Sequence, residues 1–233
     1  MYEFGKECEC GLLNTKRNLR RAEFAAIPEI FANVTWEDFR TDVYSSGFTK
    51  SAAESALDNA KMWTENMQYN MSEGIGLYMY SRAKGSGKTM MACIIGNELM
   101  RQGYGVLFAT TLDILDKIKE TWNDGKEKES DVLKKLITAP VLILDDIGVE
   151  GTKDWIRERF YKIINDRYVN KKPIIYTSNV DAQYLKIDSR ISNRIEEVSY
   201  MIEFPNESLR VGKGTALNMN YAQRAKEYRS KTA

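Results

Sequence analysis

The chain has 233 residues, 43% hydrophobic and 29% charged, and 34 Lys+Arg against 33 Asp+Glu give a formal net charge of +1. That balance suits one soluble α/β domain with short extensions and excludes a chain whose overall charge marks it as a nucleic-acid binder, so any basic surface is local. No apolar run approaches the ~20 residues that span a bilayer, and the absence of histidine removes His-assisted nucleophiles and His-ligated metal sites.

The opening "MYEFGKECEC" lacks the charged-then-apolar pattern of a signal peptide, so the cytoplasm is the expected compartment. Cys8, Cys10 and Cys93 form no disulfide framework, which agrees. Cys8 and Cys10 read as ordinary reduced thiols, because two thiolates do not complete a zinc site. Residues 1–27 read as a short arm with a basic run, Lys16, Arg17, Arg20 and Arg21, which predicts a solvated face. "IPEIFANVTWEDF" follows, with Pro28 as a breaker and Phe31, Trp36 and Phe39 to pack on the domain beyond.

Ser51 with Glu54 reads as a capping box. It opens a helix whose Ala53, Ala56, Leu57, Ala60, Trp63 and Met67 share one face. "GIGLYMYS" (74–81) predicts a buried strand, and a helix after Thr89 carries Met91, Ile94, Ile95 and Leu99 up to Gly103. "YGVLFAT" (104–110) is a second strand. Thr111 caps a helix with Leu115, Ile118 and Trp122, "NDGKEKES" is a polar loop, and Ser130 caps a short helix with Val132, Leu133 and Leu136. "APVLILDDIG" (139–148) is a third strand, apolar enough to be covered on both faces. A helix over 154–168, a strand over 172–179, a helix through "IDSRISNRIEE" and an edge strand over 198–204 complete the pattern. Strands alternating with helices imply βαβ units and a mostly parallel sheet over residues 28–210, with 211–233 as a basic tail.

The chemistry concentrates in four places. "SRAKGSGKT" contains Lys84, Gly85, Ser86, Gly87, Lys88 and Thr89. Glycines let backbone N–H groups turn toward phosphates, the lysine reaches the outer phosphates, and the threonine holds Mg²⁺. Arg82 occupies the place of the pattern's first glycine, which an arginine tolerates at negative φ. In "VLILDDIG", Asp145 is the expected Mg²⁺ partner and Asp146 the expected base toward water. Asn179 ends the fourth strand, either as a plain turn residue or as a group that orients water. Arg190 and Arg194, at i and i+4, share a helix face. They suit either surface ion pairing or a phosphate on a neighbouring subunit.

In this order and spacing the four segments resemble the DnaC/DnaI/IstB group of AAA+ ATPases over roughly residues 27–210. The resemblance implies a P-loop NTPase AAA+ core with a parallel five-stranded sheet, order 5-1-4-3-2, between helices and with no clear C-terminal lid. It assigns Lys88 and Thr89 to Walker A, Asp145 and Asp146 to Walker B, Asn179 to sensor 1, and Arg190 or Arg194 to the arginine finger. ATP and Mg²⁺ are the implied cofactors. A replicative DnaB-type helicase, single-stranded DNA and further copies of the chain are the implied partners, with no membrane contact. Fewer than 30 residues precede the lead-in, which fits a compact, phage- or prophage-like loader. Lys117, Lys119, Lys134 and Lys135 are the expected DNA-side cations. An IstB-like transposition helper has the same ATPase core. A P-loop small-molecule kinase and a nucleotide-gated binding protein without turnover are readings from other classes.

Overall fold

The structure, a computed structural model, describes residues 26–124, 127–148, 153–185, 187–210, 219 and 221. Most of the arm at 1–27, with its basic run, Cys8 and Cys10, lies outside these residues, as does nearly all of the tail at 211–233. Five parallel strands form one sheet in the order β2-β3-β4-β1-β5, which is the expected order read from the other edge. The strands are β1 (Gly76–Tyr80), β2 (Val106–Thr110), β3 (Val141–Ile147), β4 (Ile174–Ser178) and β5 (Ser199–Glu203).

Alternation along the strands separates two cores. Leu77, Met79, Val141, Ile143 and Ile175 face α1 (Gly47–Glu65), α3 (Lys88–Arg101) and the lead-in. Tyr78, Leu142, Leu144, Ile174 and Tyr176 face the other layer. That layer is α4 (Thr111–Asp124), α5 (Glu129–Thr138), α6 (Asp154–Val169) and α7 (Ser189–Val198). Between α1 and β1 lies the short α2 (Met67–Glu73), closed by Gly74 at φ +74°. Among the described residues no helix is long and apolar enough to cross a membrane.

The first helix starts earlier than the Ser51 box predicts. Ser46 caps it, its Oγ accepting from Thr49 N at 3.1 Å while Thr49 Oγ1 accepts from Ser46 N at 3.2 Å. Two hydroxyl residues at the right spacing therefore cap the chain one turn upstream. The predicted stripe holds: Ala53, Ala56, Ala60, Trp63 and Met67 are buried. Trp122 departs from expectation, being 55% exposed. Its ring meets Trp155 edge-on at 5.0 Å and its Nε1 donates to Glu129 at 3.2 Å, so an indole that reads as core sits at the rim.

The second layer has a polar keystone that no pattern announces. Arg167, on α6, is fully buried. Its Nη1 donates to Leu136 O at 2.7 Å and Ala139 O at 2.8 Å, and its Nη2 to Pro173 O at 2.7 Å. These carbonyls lie at the end of α5 and at the start of β4, where backbone acceptors outnumber donors and the helix dipole favours a cation. Burial pushes the Arg167 pKa down, to about 9, and the group still carries its charge at neutral pH.

Candidate nucleotide site

The loop between β1 and α3 is built to approach something closely. Gly85 and Gly87 take φ +79° and +96°, the left-handed region that glycine adopts without strain. A Cβ on Gly85 would lie 2.9 Å from Arg210 Cγ, and one on Gly87 would lie 2.9 Å from Phe39 Cε2. Ser81 Oγ fixes the entry, accepting from Ala83 N at 3.1 Å and donating to Pro205 O at 2.9 Å. The exit is the N-terminus of α3, whose free N–H groups and dipole favour an anion. Lys88 is only 5% exposed. Its Nζ folds back over the loop, donating to Ala83 O at 3.1 Å and Ser86 Oγ at 3.2 Å. Burial lowers its pKa, against the opposing pull of Asp146 and Asp145. Arg82 and Lys84 are exposed, and Arg82 is not among the described positive-φ residues, so the arginine fits the loop as the sequence reading requires.

The two acids face opposite ways because the ladder slips beneath them. The β3–β4 register shifts between Leu144 and Ile147, and Asp146 takes φ +60°. Asp145 turns inward, 6% exposed, while Asp146 is exposed. Thr177 on β4 serves both: its hydroxyl donates to Asp145 Oδ1 at 2.6 Å and accepts from Asp146 N at 2.9 Å. The Thr89 side chain also acts on Asp145, favouring its charged form. Asn179 Nδ2 donates to Asp146 Oδ1 at 3.1 Å, and Thr111 Oγ1 donates to Asp146 O at 3.1 Å. Lys88, Thr89, Asp145, Asp146 and Asn179 thus meet at the C-terminal ends of β1, β3 and β4, the place where parallel α/β sheets bind ligands.

Burial raises the Asp145 pKa, ahead of the lowering by Thr177 and Thr89. A carboxyl whose folded pKa exceeds its unfolded value is a cost to the fold while ionised, and that cost fades as pH falls. Asp145→Asn should therefore stabilise the nucleotide-free protein at pH 7, by about 0.5–2 kcal/mol, while weakening Mg²⁺-dependent nucleotide binding. Thermal melting at pH 7 and pH 5 checks this: the gain over wild type should shrink at the lower pH.

Arg190 and Arg194 do share a face of α7, and both guanidinium groups stack on Tyr161, at 4.3 Å and 5.1 Å from the ring centre. Among the described residues their contacts include Asp188, Tyr161 and Tyr168, and not the loop or the acids. α7 runs directly into β5, whose first residue, Ser199, pairs with Gly76 at the start of β1. Arg190, in the first turn, therefore lies toward the strands' C-terminal ends. Arg194 is one turn lower, lining a small cleft with Gly76, Ile174 and Ser199.

Several site residues escape sequence reading. Tyr44 OH donates to Ser86 O at 2.9 Å, its pKa pushed up to about 12 by burial. Leu209 N donates to Gly85 O at 3.0 Å. Glu207 accepts from Ser45 N at 3.0 Å and Thr49 Oγ1 at 2.8 Å, tying the segment after β5 to the start of α1. Arg210 lies against Gly85 and its charge acts on Lys88.

Residues 79–211, spanning the loop, both acids, Asn179 and both arginines, match the family described as IstB-like ATP binding protein. The chain belongs to this family. Its relatives include the replicative helicase loader DnaC of Escherichia coli K12, 24% identical over 73% of this chain and 66% of that protein. The replicative helicase loader DnaI of Bacillus subtilis is 32% identical over 54% of this chain and 40% of that one. The chain thus spans about two thirds or less of these relatives' length. The crystal structure of the DnaC helicase loader superposes with a TM-score of 0.58 at 27% identity, covering 72% of this chain and 98% of that one. The replication initiator DnaA bound to AMPPCP and single-stranded DNA shares the fold, with a TM-score of 0.61 at 23% identity, over 76% of this chain and 50% of that one. The IstB-like core accordingly carries the AAA+ P-loop architecture that the motifs imply.

Three of the four lysines expected on the DNA side stand in surface ion pairs. Lys117 pairs with Glu120 and Glu127, Lys119 with Asp116, and Lys135 with Glu127. Helices α4 and α5 thus present a mixed-charge surface rather than a basic one.

Proposed function

We propose that this IstB-like chain binds and hydrolyses ATP with Mg²⁺ and uses that cycle to load a replicative DnaB-type helicase onto single-stranded DNA. The observation that carries the ATPase reading is the bridge from Thr177 to both acids, with Lys88, Thr89 and Asn179 alongside. The cradle fits the group: two loop glycines at positive φ, a buried lysine satisfied by the loop's own oxygens, and a hydroxyl beside a buried carboxylate. Residues 84–89 would hold the phosphates, with Lys88 exchanging its loop oxygens for phosphate oxygens, and Thr89 and Asp145 would hold Mg²⁺. The metal would supply charge neutralisation on the transferred phosphoryl. Asp146, exposed and hydrogen-bonded by Asn179, would take a proton from water. Arg210 adds positive charge at the loop mouth.

Between the two arginines we assign the finger role, acting on the nucleotide of a neighbouring copy, to Arg190. It stands at the level of the site and its side chain is 62% exposed, whereas Arg194 lines the cleft at the strand starts. This implies a homo-oligomer with ATP between subunits. The names of the DnaC and DnaI relatives support the helicase reading, and the IstB-like family description supports a transposition helper as the second.

Affinity capture of the full chain with ATP, from cells that express it, distinguishes them. A ring helicase should co-elute and should disappear when ATP is withheld. Recovery of a transposase without a helicase overturns the loader reading and leaves the ATPase reading standing.

A further inference from the structure

We infer that Asp188 and Tyr161 are positioning residues that hold Arg190 with one edge of its guanidinium presented outward to an oxyanion. This rests on the assignment of Arg190 as the residue acting on a neighbour's nucleotide.

An exposed arginine normally samples many rotamers, and ordering it costs conformational entropy. Arg190 is 62% exposed along its side chain, yet it is held from two sides. Asp188 grips the side-on edge: Nε donates to Oδ1 at 3.0 Å and Oδ2 at 3.1 Å, and Nη2 donates to Oδ2 at 2.6 Å. Tyr161 lies beneath the guanidinium plane, 4.3 Å from ring centre to Cζ. A planar guanidinium has two bidentate edges. A carboxylate on the Nε/Nη2 edge leaves the Nη1/Nη2 edge for a second anion. The ion pair and a phosphate contact are therefore compatible, and the pair acts as a jig rather than a lock.

Asp188 is itself fixed. It is the N-cap of α7, with Oδ1 accepting from Arg190 N at 2.9 Å, and only 20% of its side chain is exposed. The Arg190 contacts hold its carboxyl far below the usual range, to about 2, so it is an anion at neutral pH. Tyr161 is anchored on α6 and receives Arg194 Nη2 on its hydroxyl at 3.4 Å. The second arginine thus supports the tyrosine that supports the first, which gives the i, i+4 pair two different tasks.

The test is steady-state ATP turnover at saturating protein, with and without single-stranded DNA, for wild type, Arg190→Ala, Asp188→Asn and the double variant. Asp188→Asn retains a capping oxygen but loses the charge and the fork. Arg190→Ala should lower kcat by about 10³-fold or more. Asp188→Asn should lower kcat about tenfold with KM for ATP within about twofold, because among the described residues Asp188 bonds Arg190 and none of its own subunit's nucleotide-site residues. In the Arg190→Ala background it should have no further effect. An equal loss in both backgrounds makes Asp188 merely structural and overturns the inference, as does unchanged or faster turnover in Asp188→Asn alone. Arg190→Ala with full activity, or a wild-type chain with no turnover under either condition, overturns the underlying assignment instead.

Discussion

Lys88→Ala should abolish ATP turnover, by at least about 10²–10³-fold, and with it any ATP-dependent self-association. The size of the effect follows from where the amine sits. Lys88 is 5% exposed, and among the described residues its hydrogen bonds go to a backbone carbonyl and a serine hydroxyl of its own loop. Those neutral partners hold a charge in a place where burial disfavours it, so the free protein keeps a cation poised for stronger acceptors. Without the lysine, the α3 dipole and two loop glycines remain but cannot balance the outer phosphates. The free protein, relieved of a buried charge, should melt no lower than wild type. Nucleotide titration, turnover and size-exclusion with and without ATP measure the three parts. Normal ATP-dependent assembly by the variant would mean that nucleotide is not the switch.

Arg167→Leu should cost about 3–5 kcal/mol of stability, which for a domain of this size lowers Tm by roughly 10 °C or more. Leucine leaves Leu136 O and Ala139 O without the guanidinium donor, and leaves Pro173 O to Leu142 N at 3.4 Å. Each buried acceptor so stranded costs about 1–3 kcal/mol, offset in part because the guanidinium's own burial is no longer required. Arg167→Lys should recover only a fraction, since an ammonium cannot span carbonyls on two elements as a planar fork does. Urea unfolding gives the comparison, and a loss below about 1 kcal/mol would show that the carbonyls find other donors.

Periodicity and punctuation carried most of the architecture, because apolar alternation and glycine breaks are local signals. The strands, the loop, the Asp145–Asp146 pair and Asn179 stand where their spacing places them, while the sheet order follows from the family resemblance rather than from any local pattern. What escaped depends on chain segments far apart. Thr177 reads as a strand residue until β4 is laid beside β3. Tyr44 and Glu207 sit in stretches whose partners are 42 and over 150 residues away. Arg167, within "NDRY", has the composition of a solvated helix face, and its burial follows only from how α5 and β4 converge. Trp122 fits the helical stripe by spacing but falls where the layer runs out, a matter of packing geometry rather than period.

The lacing of the phosphate loop has a consequence for synthesis. Ser86 is held by Tyr44, Gly85 by Leu209, and Ser81 donates to Pro205. The loop is complete in sequence by residue 89, but among the described residues its backbone tie to Leu209 forms only when residue 209 has emerged from the ribosome. A nascent chain should therefore not be a competent ATP binder until nearly the whole core has been made. Once folded, ATP should stabilise the domain as one cooperative unit rather than the loop alone.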